Sequence, residues 1–324
     1  MKVFITRAIP KKGIELLQHH HEVMVYPHDH PPSKQEIIEG LKGKQGLVCL
    51  LSDPIDNEVI TSEPQLKMIA NYAVGYDNID VETATKLGIP VSNTPGVLTD
   101  ATAELAWALV FAVARRIVES DRFAREGKFN GWGPQLLLGM ELAQKTLGII
   151  GVGRIGTAFA LKSKGFNMNV VYTSHHHNKD LESQLGAKKV PLNDLLHQSD
   201  IISLHVPLTE KTQHMIGADE LAQMKPTAIL INTSRGPVVD EQALIAVLQQ
   251  NKIFGAGLDV YEQEPQIPQE LLHLKNVVVL PHIGSATVES RTQMAMMAAQ
   301  NMIDGLAGEQ PNNCVNPEVF TNRS

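Results

Sequence analysis

Short apolar runs alternate with amphipathic stretches along most of the chain. Residues 2–6, 22–26, 46–51, 66–70 and 90–93 read as strands: brief, rich in Val and Ile, and bounded by turn residues. Between them, 10–19 has helical periodicity with Pro at its start, 32–41 has it with Ser33 as a cap, and 81–87 forms a further short helix. A long helix is predicted over 101–126, capped by Asp100, followed by an irregular connection rich in Gly, Pro and Trp over 127–139. The alternation then restarts, with strands predicted at 146–150, 168–173, 200–206, 228–233, 255–260 and 277–280 and a last helix over 286–306. Strands alternating with helices predict parallel βαβ units, here in two systems joined by a long helix. No internal repeat or low-complexity tract interrupts them.

Composition narrows the class. A chain of 324 residues with 43% hydrophobic and 19% charged positions is an ordinary globular sequence, long enough for two cores. The formal net charge of −7 provides no basic field for nucleic acid. Two cysteines, Cys49 and Cys314, make no disulfide framework, so reduced thiols are expected. The N-terminus meets a charge at Arg7 and lacks a signal-peptide core. The longest apolar stretch, 105–114, is about half of the ~20 residues that span a bilayer, and reads as a helix buried on most sides. A soluble, cytoplasmic protein is the expectation. Because that helix is apolar on nearly all faces, a second surface from a homodimer partner is expected to cover it.

The run Gly148-Ile149-Ile150-Gly151-Val152-Gly153-Arg154-Ile155-Gly156 places G-x-G-x-x-G between a strand and a helix. There the first glycine permits a tight turn, the second lets backbone approach a pyrophosphate, and the third lets helix pack on strand. The helix N-terminus adds amide donors and a positive dipole end. A turn that only packs is the alternative. The following strand ends in Ser174-His175-His176-His177-Asn178-Lys179, without the acid that would bind a ribose 2′-hydroxyl. A hydroxyl, imidazoles and a Lys there suit a 2′-phosphate, so NADPH is favoured over NADH. Consecutive histidines on extended chain point in opposite directions, which argues against a metal site; a solvated loop is the plain alternative. His19-His20-His21, at a helix end, reads as surface.

Three polar residues follow successive strands of the second system: Arg235, Glu264 and His282. In a parallel sheet all strands end on one side, where ligands bind. Each residue alone has a plain surface reading, but joint placement, each beside Gly or Pro, favours a site. The set suits oxidation of a 2-hydroxy acid or reduction of a 2-keto acid. A guanidinium grips a carboxylate bidentately, an imidazolium protonates the developing alkoxide, and a carboxylate paired with the ring orients it.

The sequence closely resembles the D-isomer-specific 2-hydroxyacid dehydrogenases over almost its whole length. The resemblance rests on Asn71-Tyr72-Ala73-Val74-Gly75-Tyr76-Asp77-Asn78-Ile79-Asp80, the glycine loop, Asn232-Thr233-Ser234-Arg235-Gly236, Gly257-Leu258-Asp259-Val260-Tyr261-Glu262-Gln263-Glu264-Pro265 and Pro281-His282-Ile283-Gly284-Ser285-Ala286-Thr287. Within the family it is most similar to the glyoxylate/hydroxypyruvate reductases and bacterial 2-ketogluconate reductases, through Gly131-Trp132-Gly133-Pro134 and Tyr172-Thr173-Ser174. It departs at His175, where NADP-using members usually carry Arg.

The resemblance implies two doubly wound α/β domains of parallel sheet with the active site in the cleft between them. Residues 1–99 and 287–324 would form a substrate-binding domain, and 100–286 an NAD(P)-binding domain with a dimerisation arm over 100–140. Arg235, Glu264 and His282 would be catalytic. Val74 and Gly75 would hold the substrate carboxylate together with Arg235. Leu51, and Trp132 of a partner subunit, would meet the substrate's tail. Thr99, Gly151, Gly153, Arg154, Ile155, Gly156, Ser174, His175, Val206, Pro207, Thr212, Thr233, Asp259 and Gly284 would line the cofactor. Glyoxylate, hydroxypyruvate and 2-ketogluconate all fit these roles. A short phosphoglycerate dehydrogenase is one alternative, and a non-enzymatic NAD(H)-sensing protein like the C-terminal-binding corepressors is another. A formate dehydrogenase would carry Gln where Glu264 stands, and a long phosphoglycerate dehydrogenase would need a further domain after the core.

Overall fold

Among the described residues twelve strands form two sheets, every pair of them parallel. β1 (Lys2–Ile5), β2 (Glu22–Val25), β3 (Gly46–Cys49), β4 (Met68–Asn71) and β5 (Val91–Ser92) make a sheet of order β2-β1-β3-β4-β5. β6 (Thr146–Ile150), β7 (Asn169–Thr173), β8 (Lys188–Lys189), β9 (Ile201–Leu204), β10 (Ile229–Asn232), β11 (Gly255–Leu258) and β12 (Val277–Val279) make a second, of order β12-β11-β10-β9-β6-β7-β8. The structure, a computed structural model, describes residues 1–321. Positions 322–324 of the C-terminal segment assigned above to the first domain lie outside the described residues.

The chain divides into two units, Met1–Leu98 with the segment beginning at Ser285, and Thr99–Gly284. The divisions fall one and two residues before the boundaries implied by the resemblance. In the first unit Phe4, Leu47, Cys49 and Ile69 from the strands pack with Ile37, Leu41 and Val59 from helices. In the second unit the sheet is covered on both faces, as a parallel sheet must be. One face packs Leu195, Leu221, Leu244 and Leu248, and the other packs Trp107, Leu109, Val110 and Phe159.

The long helix expected over 101–126 is two helices, Thr99–Ala114 and Ile117–Arg125. The Ala114 carbonyl accepts from the Met140 N–H at 2.7 Å, in place of a bond from the next turn of helix. Arg116 then turns into the left-handed region at φ 53°, with its guanidinium on both Glu119 oxygens at 2.8 and 3.0 Å. Asp100 lies inside the first turn rather than capping it, and pairs with Lys162 at 2.9 Å. The apolar faces of the first of these helices are used within its own unit. Trp107 stacks on Phe159 at 4.8 Å and its Nε1 donates to the Phe159 carbonyl at 2.9 Å. Leu105, Phe111 and Ala112 nonetheless stay half-buried and Ala108 exposed, so its own unit covers most but not all of the apolar surface of this helix. Exposed apolar side chains gather further on, at Ile117, Val118, Phe129, Trp132 and Leu138.

The helix Asn57–Thr61, capped by Asp56, and the two-residue β8 were too short to predict by periodicity. His21 is not a surface residue like His19 and His20. Both of its ring nitrogens are enclosed without a partner among the described residues, and burial lowers its pKa. No helix among the described residues is long and apolar enough to cross a membrane.

Candidate active site

The glycine loop leaves β6 where the strand order reverses, with β7 on one side and β9 on the other. This is where ligands bind in open α/β sheets. Gly151 sits at φ 92°, and a Cβ on Gly156 would lie 2.0 Å from the Gly151 carbonyl oxygen, so both positions demand glycine. A Cβ on Gly153 would meet open space, at the N-cap of the helix Arg154–Lys162. Arg154 is exposed and Ile155 half-buried at that helix start. Asn178 ties the loop after β7 to the glycine loop, donating to Thr157 Oγ1 at 2.8 Å and the Val152 carbonyl at 3.3 Å. The sequence reading gave Asn178 no role; only the packing of two distant loops reveals it.

Ser174 is half-buried, and His175 and His176 are exposed. His177 is engaged differently, with Nδ1 2.6 Å from Glu182. Among the described residues no group of three or more His, Cys, Asp or Glu is placed to hold a metal ion. Val206 and Pro207 follow β9, and the Thr212 hydroxyl closes their loop by donating to the Pro207 carbonyl at 2.6 Å. His205, beside them, bonds Ser203 Oγ through Nε2 at 2.9 Å and packs 5.0 Å from the Phe159 ring. Loss of solvation pushes its pKa down to about 3, so the ring is neutral.

Of the six buried side-chain oxygens that find no partner among the described residues, two lie here: Thr233 Oγ1 after β10 and Asp259 Oδ2 after β11. A buried polar atom without a partner is costly, and both lie at the sheet edge where the glycine loop opens. A dinucleotide cofactor carries hydroxyl and amide groups that would satisfy them. Together with the open approach at Gly153, these atoms fit such a cofactor. Burial also raises the Asp259 carboxyl pKa above its ordinary range.

Arg235, Glu264 and His282 follow three adjacent strands, β10, β11 and β12. Asn232 shapes the Arg235 turn: its Oδ1 accepts from the Ser234 N–H and hydroxyl at 3.0 and 2.8 Å, and its Nδ2 donates to the Arg235 carbonyl at 2.9 Å. A Cβ on Gly236 would lie 1.9 Å from the Tyr261 carbonyl carbon. Only glycine there brings the Arg235 loop against the loop that carries Glu264. Glu264 accepts from the Tyr261 N–H through Oε1 at 3.1 Å, and its Oε2 lies 2.7 Å from His282 Nδ1. His282 sits at φ 54°, and both flanks of its turn are fastened. Tyr261 donates its hydroxyl to the Leu280 carbonyl at 2.8 Å, and the Ile283 N–H donates to Asp259 Oδ1 at 2.7 Å. The Thr102 hydroxyl holds the Gly284 carbonyl at 3.2 Å, one turn into the helix that Thr99 begins.

In the first unit, Val74 and Gly75 are half-buried in the loop after β4, and Leu51 is exposed in the loop after β3. Trp132, in the second unit's irregular connection, is 85% exposed.

The glycine loop, the paired carboxylate and imidazole, and the adjacent guanidinium define a dinucleotide-dependent dehydrogenase. The family model for the D-isomer specific 2-hydroxyacid dehydrogenase NAD binding domain matches residues 107–284, and the chain belongs to that family. It is 53% identical to a glyoxylate reductase of Korarchaeum cryptofilum over 98% of this chain and 96% of that one. A Thermus thermophilus crystal structure superimposes with a TM-score of 0.91 at 43% identity, over 97% of this chain and all of that one. An NADPH-dependent glyoxylate/hydroxypyruvate reductase of Sinorhizobium meliloti, solved with NADP and malonate, gives 0.88 at 30% identity, over 100% and 99% of the two chains.

Proposed function

We propose that this protein reduces a small 2-keto acid, glyoxylate first among candidates, to the D-2-hydroxy acid with NADPH or NADH. The observation that carries the reading is the 2.7 Å contact between His282 Nδ1 and Glu264 Oε2, one strand from Arg235. Because Glu264 engages Nδ1, the other ring nitrogen, Nε2, is the one left to serve substrate. When bound, the reduced nicotinamide supplies the hydride for the carbonyl carbon. Arg235 grips the substrate carboxylate and polarises the neighbouring C=O. As the C=O π pair moves onto oxygen, His282 gives its Nε2 proton to that oxygen and is left neutral, to be reprotonated from solvent. Glu264 holds the ring and stabilises its charged form.

Val74 and Gly75 supply backbone donors to the carboxylate, and Leu51 meets the tail. Thr233, Asp259 and the 151–156 loop receive the cofactor. A panel of 2-keto acids assayed with NADPH and NADH tests the reading; no cofactor oxidation with any of them would overturn it. The name shared by the relatives, glyoxylate reductase, favours the enzyme over a non-catalytic sensor.

NADPH is the proposed preference, since Ser174 stands where an acid would repel a 2′-phosphate. Ser174→Asp should lower the NADPH/NADH ratio of kcat/KM by about tenfold or more; an unchanged ratio would take this loop out of cofactor choice. The exposed apolar side chains from Ile117 to Leu138 support a homodimer formed through this arm, with Trp132 reaching a partner's substrate. Light scattering showing a stable monomer at micromolar concentration would refute it.

A further inference from the structure

The loop after β4 has an unusual economy: three consecutive carbonyls are each captured from the interior. The Ala73 carbonyl accepts from the Thr94 N–H at 2.8 Å, the Val74 carbonyl from Asn93 Nδ2 at 2.7 Å, and the Gly75 carbonyl from Asn71 Nδ2 at 2.8 Å. All three peptides are trans, and in a trans peptide the N–H points opposite to the C=O. The N–H groups of Val74, Gly75 and Tyr76 are thereby turned away from the atoms that hold their carbonyls. Backbone N–H groups freed in this way are available to donate to an anion. Neither Val74 nor Gly75 has a polar side chain, so the direction of these amides is what the loop offers a carboxylate.

Asn71 is fully buried and Asn93 nearly so. Burying an amide is costly unless it is bonded, and both are bonded to this loop. The frame continues into the loop after β3. Asn71 Nδ2 also lies 3.2 Å from Asn78 Oδ1, and Asn78 Nδ2 donates to the Leu50 and Asp53 carbonyls, each at 3.0 Å. The buried Asp53 carboxylate then takes the Leu50 N–H at 2.6 Å and the Thr6 hydroxyl at 2.5 Å. Both polar atoms of the Leu50 backbone are held, immediately before Leu51.

We infer that Asn71, Asn78 and Asn93 are positioning residues for the substrate. Asn71 and Asn93 aim the Val74–Gly75–Tyr76 amides at its carboxylate. Asn78 locks that loop to the Leu51 loop, so that one rigid frame reads both ends of a 2-keto acid. The inference rests on the substrate reading above.

Two variants test it. Asn93→Asp is nearly isosteric but replaces the donor Nδ2 with an acceptor. Asn78→Ala removes the side-chain link between the loops at a partly exposed position and leaves the Ile55 N–H bond to the residue-78 carbonyl, 2.9 Å, in place. Asn93→Asp should raise the KM for glyoxylate about tenfold to hundredfold, with the KM for NADPH unchanged and kcat within about threefold. The Kd of oxalate, an unreactive dicarboxylate, should rise in parallel. Asn78→Ala should change the ratio of kcat/KM between glyoxylate and the longer hydroxypyruvate by about fivefold or more, again without touching NADPH. The inference falls if both variants keep wild-type glyoxylate KM and selectivity, or if each loses kcat and NADPH affinity together. If only one variant is soluble, that variant decides. A wild-type protein that reduces no 2-keto acid defeats the substrate reading instead, and calorimetric oxalate binding, wild type against variant, then still decides the frame.

Discussion

The edge of β10, β11 and β12 and the loop after β4 assign backbone and side chain opposite tasks. In the proposed reaction the side chains of Arg235, Glu264 and His282 at the strand edge carry the chemistry, and the backbone around them is fastened. Tyr261 and Asp259 hold the flanks of the His282 turn, and Gly236 lets two loops touch. In the loop after β4 the proposed functional group is the backbone, and the side chains of Asn71 and Asn93 hold its carbonyls. A site built of side-chain reagents should respond sharply when those residues are replaced. A site built of backbone should ignore its own side chains and respond to the framing amides.

The largest effect is expected at His282. His282→Ala should lower kcat by about 10²–10⁴-fold, the usual worth of a positioned general acid, with NADPH binding retained. A kcat near wild type would remove the ring from the chemistry. Arg235→Lys should follow, with kcat/KM for glyoxylate down by about tenfold to hundredfold, because Lys keeps the charge but loses the planar fork. Wild-type kinetics there would mean that the carboxylate is held elsewhere.

His205 gives a smaller effect, read in stability. Its folded pKa of about 3 lies below the ordinary 6.5. As pH falls below 6.5, the unfolded chain takes up a proton that the folded chain refuses, so stability is lost progressively from about pH 6.5 toward 3. At pH 5 the loss is about 1–2 kcal/mol. His205→Gln should therefore show a shallower fall in melting temperature between pH 7 and 4.5; an identical slope would contradict a neutral ring beneath the glycine loop. The smallest effect sharpens the comparison most. Val74→Ala should leave the KM for glyoxylate within about twofold, since the proposed contact is an amide and not the isopropyl group. A large rise would make the loop a side-chain site after all.

Legibility followed the same division. The glycine spacing, and a guanidinium, a carboxylate and an imidazole after three strands, were visible because residue type and strand-end position are local properties. Most strand positions were also legible, since burial on both faces of a parallel sheet leaves uninterrupted apolar runs. Asn178, Asn232, Asn71 and Asn93 were present in the quoted motifs or runs without roles. An asparagine names no chemistry until its bonding partner is known. The break at Arg116 was invisible for a related reason. The sequence through Glu126 has no Gly or Pro to stop a helix, and the group that takes the Ala114 carbonyl is Met140, across the whole connection.

The sequence by itself determined the alternation of strand and helix, the parallel class, the glycine loop and the three candidate catalytic side chains. Each of these depends on spacing along a few neighbouring residues. Only the tertiary structure decided that His282 meets Glu264 and that Thr233 and Asp259 keep buried oxygens without partners among the described residues. It also decided that most of the apolar helix is covered within its own unit, and that Asn93 holds the Val74 carbonyl. Those outcomes depend on hydrogen bonds between residues far apart in the chain, whose meeting is set by the packing of whole elements and not by any local pattern.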